Sequence, residues 1–350
     1  MKHANISIFV PHIGCPHRCS FCDQRTISGT QHAPSADDVR AVCEKALGEA
    51  KSPENTEIAF FGGSFTAIPR GYMTELLETA HEFTGEGKFK GIRISTRPDR
   101  IDREVLDILK KYGVTAIELG AQSMCDEVLE ANERGHTAED VVNASNLIRE
   151  YGFELGLQMM VGLYKSTEDD EWATFTQILN LHPDTVRIYP VVILENTRLG
   201  ELYRSGEYRT FSFEQVVEMV SIFLMAFEND GIRVIKCGLH ASEFVEKDMI
   251  GGYYHPAFRE LCENAIYKKL IWDSLFEMAD MNRPQKYDEE EVRKKLEKIH
   301  REHIFAVNPL CISKAVGQRK SNIRHFSEHG IDIKIIGDEN VAEYKVELRR

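Results

Sequence analysis

Short apolar runs alternate with longer amphipathic stretches through the first part of the chain, at intervals of roughly thirty residues. The apolar runs predict β-strands at 5–11, 57–62, 91–96, 115–121, 154–161 and 184–191. Apolar positions at helical spacing predict helices between them at 36–50, 70–84, 102–112, 137–151 and 168–180. Such alternation is typical of parallel α/β folds, because a crossover helix returns the chain for each new parallel strand. We therefore predict an α/β fold, a partial (β/α)6 barrel open on one side, with its functional groups at the carboxyl ends of the strands.

Residues at the ends of the predicted helices agree with these boundaries. Ser35 and Thr137 each precede an acidic first turn and can accept hydrogen bonds from its backbone N–H groups. Gly113 and Gly152 follow helical patterns and suit the left-handed backbone conformation that ends many helices.

The strand–helix alternation weakens after residue 195. The remaining pattern predicts a long helix, a short strand, a second helix, a linker and a charged helix, at 212–230, 232–235, 257–281, 283–286 and 288–302. Short α/β elements complete the chain. We predict a catalytic domain with a C-terminal helical extension at 1–284, and a small α/β accessory segment at 285–350 that guides the substrate.

Composition indicates a globular enzyme and a reducing compartment. The chain has 350 residues, of which 42% are hydrophobic and 28% charged. It shows no export leader at its start and no apolar run of membrane-spanning length, so we expect a cytoplasmic protein with no membrane contact. Five of its eight cysteines are scattered singly, which favours reduced thiols.

The net charge of −13 argues against a broadly basic surface for nucleic acid. The charge is uneven, however, because residues 301–350 contain nine Lys or Arg against seven Asp or Glu. Asn308–Leu310 and Gly317–Asn322 predict a polar, basic loop suited to contact phosphate, although an ordinary turn before a helix would have the same composition.

Three close cysteines, Cys15, Cys19 and Cys22, follow the first predicted strand with the spacing C-x3-C-x2-C. They can hold three irons of a 4Fe–4S cluster and leave the fourth iron open to a reactive ligand. A zinc site completed by His12 or His17, and a cluster of reduced thiols, are the alternatives.

This cysteine spacing, with Phe21 between the last two cysteines, resembles that of the radical S-adenosylmethionine (SAM) enzymes. The resemblance implies a 4Fe–4S cluster and SAM as cofactors, and reduced flavodoxin or ferredoxin as the electron donor. It also implies that Phe21 lies along the adenine of SAM and that the turn Gly62-Gly63-Ser64 contacts its amino group.

Further motifs resemble the branch of this superfamily that includes the Elongator catalytic subunit, which modifies wobble uridines in tRNA. They are Glu118–Ser123, Asn132–Thr137, Gln158–Leu163 and Arg187–Pro190. The resemblance implies that Gln122, with Ser123 beside it, binds the ribose of SAM and that Arg134 meets its carboxylate. It implies a weaker ribose contact for Gln158.

The resemblance leaves the substrate open. RNA, in particular tRNA, is the substrate that the Elongator branch implies. The oxygen-independent coproporphyrinogen oxidases are the next most similar group and imply a tetrapyrrole or another small metabolite. A non-catalytic scaffold that carries a cluster or zinc and binds RNA is a third alternative.

Three departures limit the expected chemistry. Ser95 stands where relatives often carry a glutamate at the end of the third strand. No acetyl-CoA loop follows residue 285, so we expect no acetyl transfer by this chain. The cysteine spacing is the general one of the superfamily, whereas the Elongator subunit has a longer first gap. Separately, the sequence has no second close cysteine cluster, which disfavours sulfur insertion.

Candidate substrate-side residues follow the short strand at 232–235. If this strand adds to the open edge of the barrel, Cys237 or His240 points toward the cleft, and Tyr254 lies in a following loop. A thiol or phenol there could give hydrogen to a substrate radical. A buried thiol and structural loop residues are the alternatives.

Overall fold

The computed structural model describes residues 4–10, 15, 19–23, 32–239, 243–278 and 302–349. The chain forms two compact units. The first comprises Met1–Ser212 and Gly231–Pro256, and the second comprises Phe213–Asp230 and Ala257–Arg350.

The first unit is built on a parallel sheet of seven strands. These are β1 (Ala4–Phe9), β2 (Thr56–Phe61), β3 (Gly91–Thr96), β4 (Val114–Gln122), β5 (Glu154–Val161), β6 (Thr185–Pro190) and β8 (Arg233–Cys237). Their order in the sheet is β1-β2-β3-β4-β5-β6-β8, and every neighbouring pair is parallel. This half-barrel confirms the predicted partial barrel, and β8 extends it at its open edge. A separate antiparallel pair joins β7 (Val192–Leu194) to β9 (Met249–Gly252).

The predicted crossover helices connect the strands. The helices of the first unit are α1 (Ala36–Glu49), α2 (Arg70–His81), α3 (Arg103–Lys111), α4 (Asp126–Ala131), α5 (Ala138–Glu150), α6 (Glu168–Leu181), α7 (Arg198–Arg204) and α9 (Glu243–Asp248). The Ser35 and Thr137 side chains cap α1 and α5 as predicted, each accepting a backbone N–H three residues later. Gly113 and Gly152 have φ angles of 73° and 79°, the left-handed conformation expected of them.

A charged cluster lies buried within the sheet. Arg93 on β3 is 1% exposed. Its guanidinium donates to Glu57 at 2.8 Å, Glu118 at 3.3 Å and Glu154 at 2.7 Å, on β2, β4 and β5. The cation thereby links four adjacent strands, and each buried carboxylate near it has a partner of opposite charge.

The second unit combines helices with a small sheet. Its helices are α8 (Phe213–Asn229), α10 (Phe258–Met278), α11 (Ile312–Val316) and α12 (Ser321–Glu328). Its strands are β10 (His303–Val307), β11 (Ile333–Gly337) and β12 (Glu347–Arg349), in the order β11-β10-β12. Trp272, Phe276, Phe305 and Phe326 form the centre of its core.

The α/β character predicted for the C-terminal segment is present in this unit. The predicted linker and charged helix, at 283–286 and 288–302, fall outside the described residues, apart from residue 302. The predicted boundary at 284 stays a prediction, and α8 and α10 belong to the same compact unit as the C-terminal strands. None of the helices in the described ranges is both long enough and apolar enough to cross a membrane.

Candidate functional site

A cavity of about 370 Å³ lies at the carboxyl ends of the parallel strands of the first unit. Because parallel strands all end at the same edge of a sheet, the loops that follow them meet there. Residues after β1, β2, β3 and β4 line one part of the cavity wall, and residues on β5, β6 and β8 line another.

All three clustered cysteines, Cys15, Cys19 and Cys22, line this cavity and are partly exposed. A turn connects the last two, in which the Cys22 N–H donates to the Cys19 carbonyl at 3.0 Å. Ser20 between them fixes the loop, because its side chain donates to Asn132 at 2.8 Å and its backbone N–H donates to the Asn132 carbonyl. The thiols are therefore held against the segment that follows α4.

The end of β4 carries a strained polar residue. The β4–β5 register shifts between Gly120 and Gln122, and Gln122 has a φ of 65°, which is unusual for a residue other than glycine. The Gln122 side chain lines the cavity, and its Oε1 is buried without a hydrogen-bond partner in the described part of the chain. Strain of this kind persists where the surrounding structure enforces it, commonly at ligand sites.

Arg134 connects this strand end to the cysteines. Its Nη2 donates to the Gly120 carbonyl at 2.6 Å, and its Nη1 donates to the Cys19 sulfur at 3.1 Å. Its Nε is buried without a partner among the residues described. A β-carbon at Gly120 would lie 3.0 Å from the Gln122 Nε2 and 3.3 Å from the Arg134 Nη2, so glycine leaves room for both side chains.

Arg97, which follows β3, holds the backbone at Arg134 in place through hydrogen bonds. Its Nη1 donates to the Arg134 carbonyl at 2.6 Å, its Nη2 to the Gly135 carbonyl at 3.0 Å and its Nε to Asp99 at 2.8 Å. Burial and the neighbouring Cys19 raise the pKa of the Cys15 thiol, while Arg134 and Arg97 act to lower it. The two arginines thus oppose part of the effect of burial on the Cys15 thiol.

The glycine turn after β2 lies partly on the cavity wall. Gly62 and Gly63 both line the cavity, and Gly62 has a φ of 96°. A β-carbon at Gly62 would lie 3.0 Å from the Val10 carbonyl oxygen, so a side chain there would collide with the end of β1. Ser64 is 1% exposed and does not line the cavity. Its hydroxyl contacts Thr96 at 2.9 Å and accepts the Arg97 N–H at 3.2 Å.

On β4, β5 and β6 the polar groups pair with each other. Glu118 accepts from Arg187 at 2.6 and 2.9 Å, and Gln158 donates to Glu118 at 2.9 Å and to Ser95 at 3.2 Å. Burial alone would raise the pKa of Glu118, but Arg187 and Arg93 outweigh burial and hold the pKa below its usual value. Gln158 and Ser95 both line the cavity, and Ser95, found where the resemblance led us to expect a glutamate, is a hydrogen-bond partner of Gln158.

The structure brings most of the residues predicted for the site to one cavity. The cavity wall includes Cys15, Cys19, Cys22, Phe21, Gly62, Gly63, Gln122, Arg134 and Gln158. Ser123, like Ser64, lies outside this set, because it is 3% exposed and its hydroxyl contacts Thr174 at 3.1 Å. The roles of all these residues toward a cofactor stay predictions.

The predicted substrate-side residues are placed differently. The strand at 232–235 does join the open edge as β8, but Cys237 is 6% exposed and is not part of the cavity wall. Tyr254 also lies off the cavity and donates to Glu246 at 2.9 Å. His240 lies outside the described residues. Hydrogen donation by any of the three stays a prediction.

Sequence reasoning gave no role to several polar residues of the cavity wall, among them Arg97, Tyr189 and Lys236. Arg97 and Tyr189 lie within or beside motifs at strand ends, so their position relative to β3 and β6 could have identified them. Lys236 gave no such signal, because a register shift opposite Arg187 decides which face of β8 it occupies.

The donor set fits a 4Fe–4S cluster that binds SAM. Among the described residues, no three His, Cys, Asp or Glu side chains converge closely enough to hold a single metal ion. A cluster whose irons each take a separate thiolate needs sulfurs distributed around it, as three cysteines along one cavity wall can provide. The unpartnered Gln122 Oε1 and Arg134 Nε in the same cavity suit a polar ligand with its own donors and acceptors.

Comparison with protein families gives two adjoining matches. Residues 9–178 match the family model described as the Radical SAM superfamily. Residues 183–268 match the model described as the Radical_SAM C-terminal domain.

Two proteins of Methanocaldococcus jannaschii are among the similar sequences. Its tRNA uridine(34) acetyltransferase is 33% identical over 156 residues, which cover 43% of this chain and only 29% of that protein. An uncharacterised protein is 30% identical over 224 residues, which cover 61% of this chain and 68% of that protein. The match thus covers less than a third of the length of the acetyltransferase.

Among solved structures, an N-terminally truncated Elp3 of Methanocaldococcus infernus aligns with a TM-score of 0.53 at 21% identity. The alignment covers 70% of this chain and 61% of that chain. At this identity the likeness shows a shared fold.

Proposed function

Since the chain belongs to the radical SAM superfamily of enzymes, we propose that Cys15, Cys19 and Cys22 hold a 4Fe–4S cluster and that the enzyme cleaves SAM reductively. One observation carries the proposal: the three thiols share a cavity at the strand ends with the unpartnered polar atoms of Gln122 and Arg134. When bound, the cluster supplies one electron, and the sulfonium of SAM yields methionine and a 5′-deoxyadenosyl radical.

The residues of this chain bind and orient SAM for that step. The Arg134 guanidinium meets the SAM carboxylate with a charge-assisted hydrogen bond, and Gln122 accepts from a ribose hydroxyl. The backbone of Gly62 and Gly63 approaches the amino group closely because no side chain intervenes. Phe21 covers the adenine, and Gln158 adds a polar contact near the ribose.

Anaerobic reconstitution tests this function directly. Protein purified without oxygen should bind iron and sulfide, and with dithionite it should convert SAM to methionine and 5′-deoxyadenosine in the absence of substrate. Protein with about one zinc per chain, no iron and no SAM cleavage would refute the proposal.

We further propose that the substrate is RNA, in particular tRNA, that the electron comes from reduced flavodoxin or ferredoxin, and that the enzyme works in the reducing cytoplasm. Two observations support the RNA substrate. The chain is similar to a tRNA uridine(34) acetyltransferase over 156 residues. Arg319 and Lys320 form an exposed basic pair before α12, both with the left-handed backbone rare in such residues.

Charge reversal tests the RNA substrate. Arg319→Glu combined with Lys320→Glu should weaken tRNA binding and reduce its salt dependence, because each lost phosphate contact removes roughly one unit of slope. The matched control reverses two exposed lysines of the first unit, Lys45→Glu with Lys51→Glu. Equal tRNA binding by both double variants, or binding by the parent that does not depend on salt, would refute the RNA substrate.

A small metabolite is the second candidate, and the net charge of −13 favours it, because an acidic protein repels the phosphates of nucleic acid. Anaerobic turnover with deuterated cellular RNA, and separately with a deuterated metabolite extract, distinguishes the two candidates. Deuterium in 5′-deoxyadenosine identifies the pool that contains the substrate.

A further inference from the structure

Lys236 places a cation on the cavity wall, and none of the described residues forms an ion pair with it. It lies on β8, is partly buried, and makes no hydrogen bond or ion pair with any residue that the structure describes. A partly buried charged amine is less stable than one in water unless a group of opposite charge or an acceptor pairs with it. No residue in the described ranges supplies such a group.

A β-bulge directs this side chain into the cavity. β8 follows the register of β6 up to Val186 opposite Val234, and then shifts so that Arg187 lies opposite Lys236. Without the shift, Arg187 would lie opposite Ile235, and Cys237 would share that face. The bulge exchanges these faces, so that Lys236 lines the cavity and Cys237 lies opposite the buried Ile188.

The groups beside Lys236 do not neutralise it. Burial lowers the pKa of its amine, and the neighbouring positive charge of Arg187 lowers it further. Glu118, the carboxylate of this region, already accepts twice from Arg187 and once from Arg93. Lys236 and Arg187 therefore present an excess of positive charge on this part of the wall.

A further hydrogen-bond donor lies on the same face. Tyr189 is two residues beyond Arg187 on β6, which puts both on one side of the sheet, and it lines the cavity. Burial raises the pKa of Tyr189, so its hydroxyl stays protonated and able to donate. An ammonium and a phenol on one wall suit the oxygens of an anion.

This part of the wall is distant along the sheet from the cysteines. The cysteine loop follows β1, whereas β8 forms the other edge of the seven-stranded sheet. We infer that Lys236, with Tyr189 beside it, binds an oxyanionic group of the substrate, a phosphate or a carboxylate. The inference rests on the proposed function, which assigns the cysteine side of the cavity to the cluster and SAM.

Oxyanion binding to the reconstituted enzyme tests this inference. SAM is added without reductant so that Arg134 is occupied, and inorganic phosphate or acetate is titrated by calorimetry. Lys236→Ala should weaken binding of the preferred anion roughly tenfold or more, the size of a charged hydrogen bond. Lys236→Arg, which keeps the charge, should recover most of the affinity. Lys45→Ala is the matched control, since Lys45 is exposed on α1.

Amine labelling of the parent gives a second measurement that does not depend on any variant folding. Reductive methylation of Lys236, read by peptide mass spectrometry, should slow when the anion is present, while methylation of Lys45 should not. Preference for phosphate over acetate indicates a nucleotide or phosphorylated substrate, and the opposite preference indicates a carboxylic acid.

Two results would overturn the inference. One is equal anion affinity in the parent and Lys236→Ala, and the other is unchanged methylation of Lys236 in saturating phosphate and acetate. Substrate-free SAM cleavage by the parent is measured in the same preparations. If the parent cleaves SAM but Lys236 does not respond to anions, the inference fails while the proposed function stands. If the parent cleaves no SAM, the proposed function fails.

Discussion

The two sides of the cavity satisfy their polar groups in different ways. On the cysteine side, where Gln122 and Arg134 adjoin the three clustered cysteines, Gln122 Oε1 and Arg134 Nε are buried without hydrogen-bond partners in the described structure. On the strand side, Glu118, Arg187 and Gln158 bond to each other. An unpartnered buried polar atom costs roughly 1–3 kcal/mol. Among the described residues, the strand side thus satisfies its polar groups by itself, while the cysteine side has buried polar atoms that a bound ligand would satisfy.

This contrast separates residues that maintain the barrel from residues that we propose bind a cofactor. Substitutions on the strand side should act first on stability, because they leave buried charges without a partner in surroundings that solvate them poorly. Substitutions on the cysteine side should act first on binding, because the atoms concerned contribute little to the empty protein. Lys236 is the exception on the strand side. Like Gln122 Oε1 and Arg134 Nε, its amine has no hydrogen-bond partner among the described residues.

The largest expected effect comes from removing all three thiols of the cysteine side. Replacing Cys15, Cys19 and Cys22 together with Ala should abolish bound iron and SAM cleavage, because the cluster loses all of its thiolates. Iron analysis and chromatography of 5′-deoxyadenosine measure the two losses. Replacing Cys43 with Ala is the control, because this buried thiol lies in α1 away from the cavity wall. Iron retained by the triple variant would refute the cluster assignment.

The next largest effect comes from removing Arg93, the buried cation that pairs with Glu118 of the strand side. Arg93→Ala should reduce the free energy of unfolding by about 3–5 kcal/mol, because Glu57, Glu118 and Glu154 lose their shared buried cation. Urea denaturation measures the change. Arg103→Ala is the matched control, since Arg103 forms an exposed two-bond pair with Glu150 and should contribute little to stability. Similar losses in both variants would contradict the structural role of the buried cluster.

Much of this architecture could be predicted from the sequence because its signals are local. Apolar runs of strand length, the capping residues Ser35 and Thr137, and the glycines at 113 and 152 each depend on a few neighbouring positions. The cysteine loop also follows from a short motif after the first strand. These features give the half-barrel and the location of the cavity.

What could not be predicted depends on register and on contacts between distant strands. The shift opposite Arg187 exchanges Cys237 for Lys236 on the cavity face, and no local pattern in 232–237 reveals it. Ser64 and Ser123 belong to motifs near the cavity, yet their hydroxyls bond to Thr96 and Thr174 instead of lining it. A motif places its segment near a site, whereas packing decides where each side chain points.

A smaller effect tests the cysteine side without removing its metal ligands. Arg134→Ala should retain the cluster but weaken SAM binding by about 1.5–3 kcal/mol, roughly ten- to a hundredfold, because a charged hydrogen bond is lost. Calorimetry with the reconstituted enzyme measures the affinity, and iron content reports the cluster. Arg134→Lys keeps the charge but loses the fork of donors, and should fall between the parent and Arg134→Ala. Unchanged SAM affinity in Arg134→Ala would remove this residue from the cofactor site.

The smallest expected effect tests whether the backbone at Gly120 holds the Gln122 and Arg134 side chains in position. In Gly120→Ala, the added β-carbon would lie 3.0 Å from the Gln122 Nε2 and 3.3 Å from the Arg134 Nη2, so both side chains must move slightly. SAM affinity should fall a few-fold, about 1 kcal/mol. Gly48→Ala is the control, because a β-carbon there meets nothing within 4 Å, and alanine in this helix should leave SAM affinity unchanged. Equal SAM affinity in Gly120→Ala and Gly48→Ala would show that the cysteine side tolerates displacement, and that its unpartnered atoms are not positioned for a ligand.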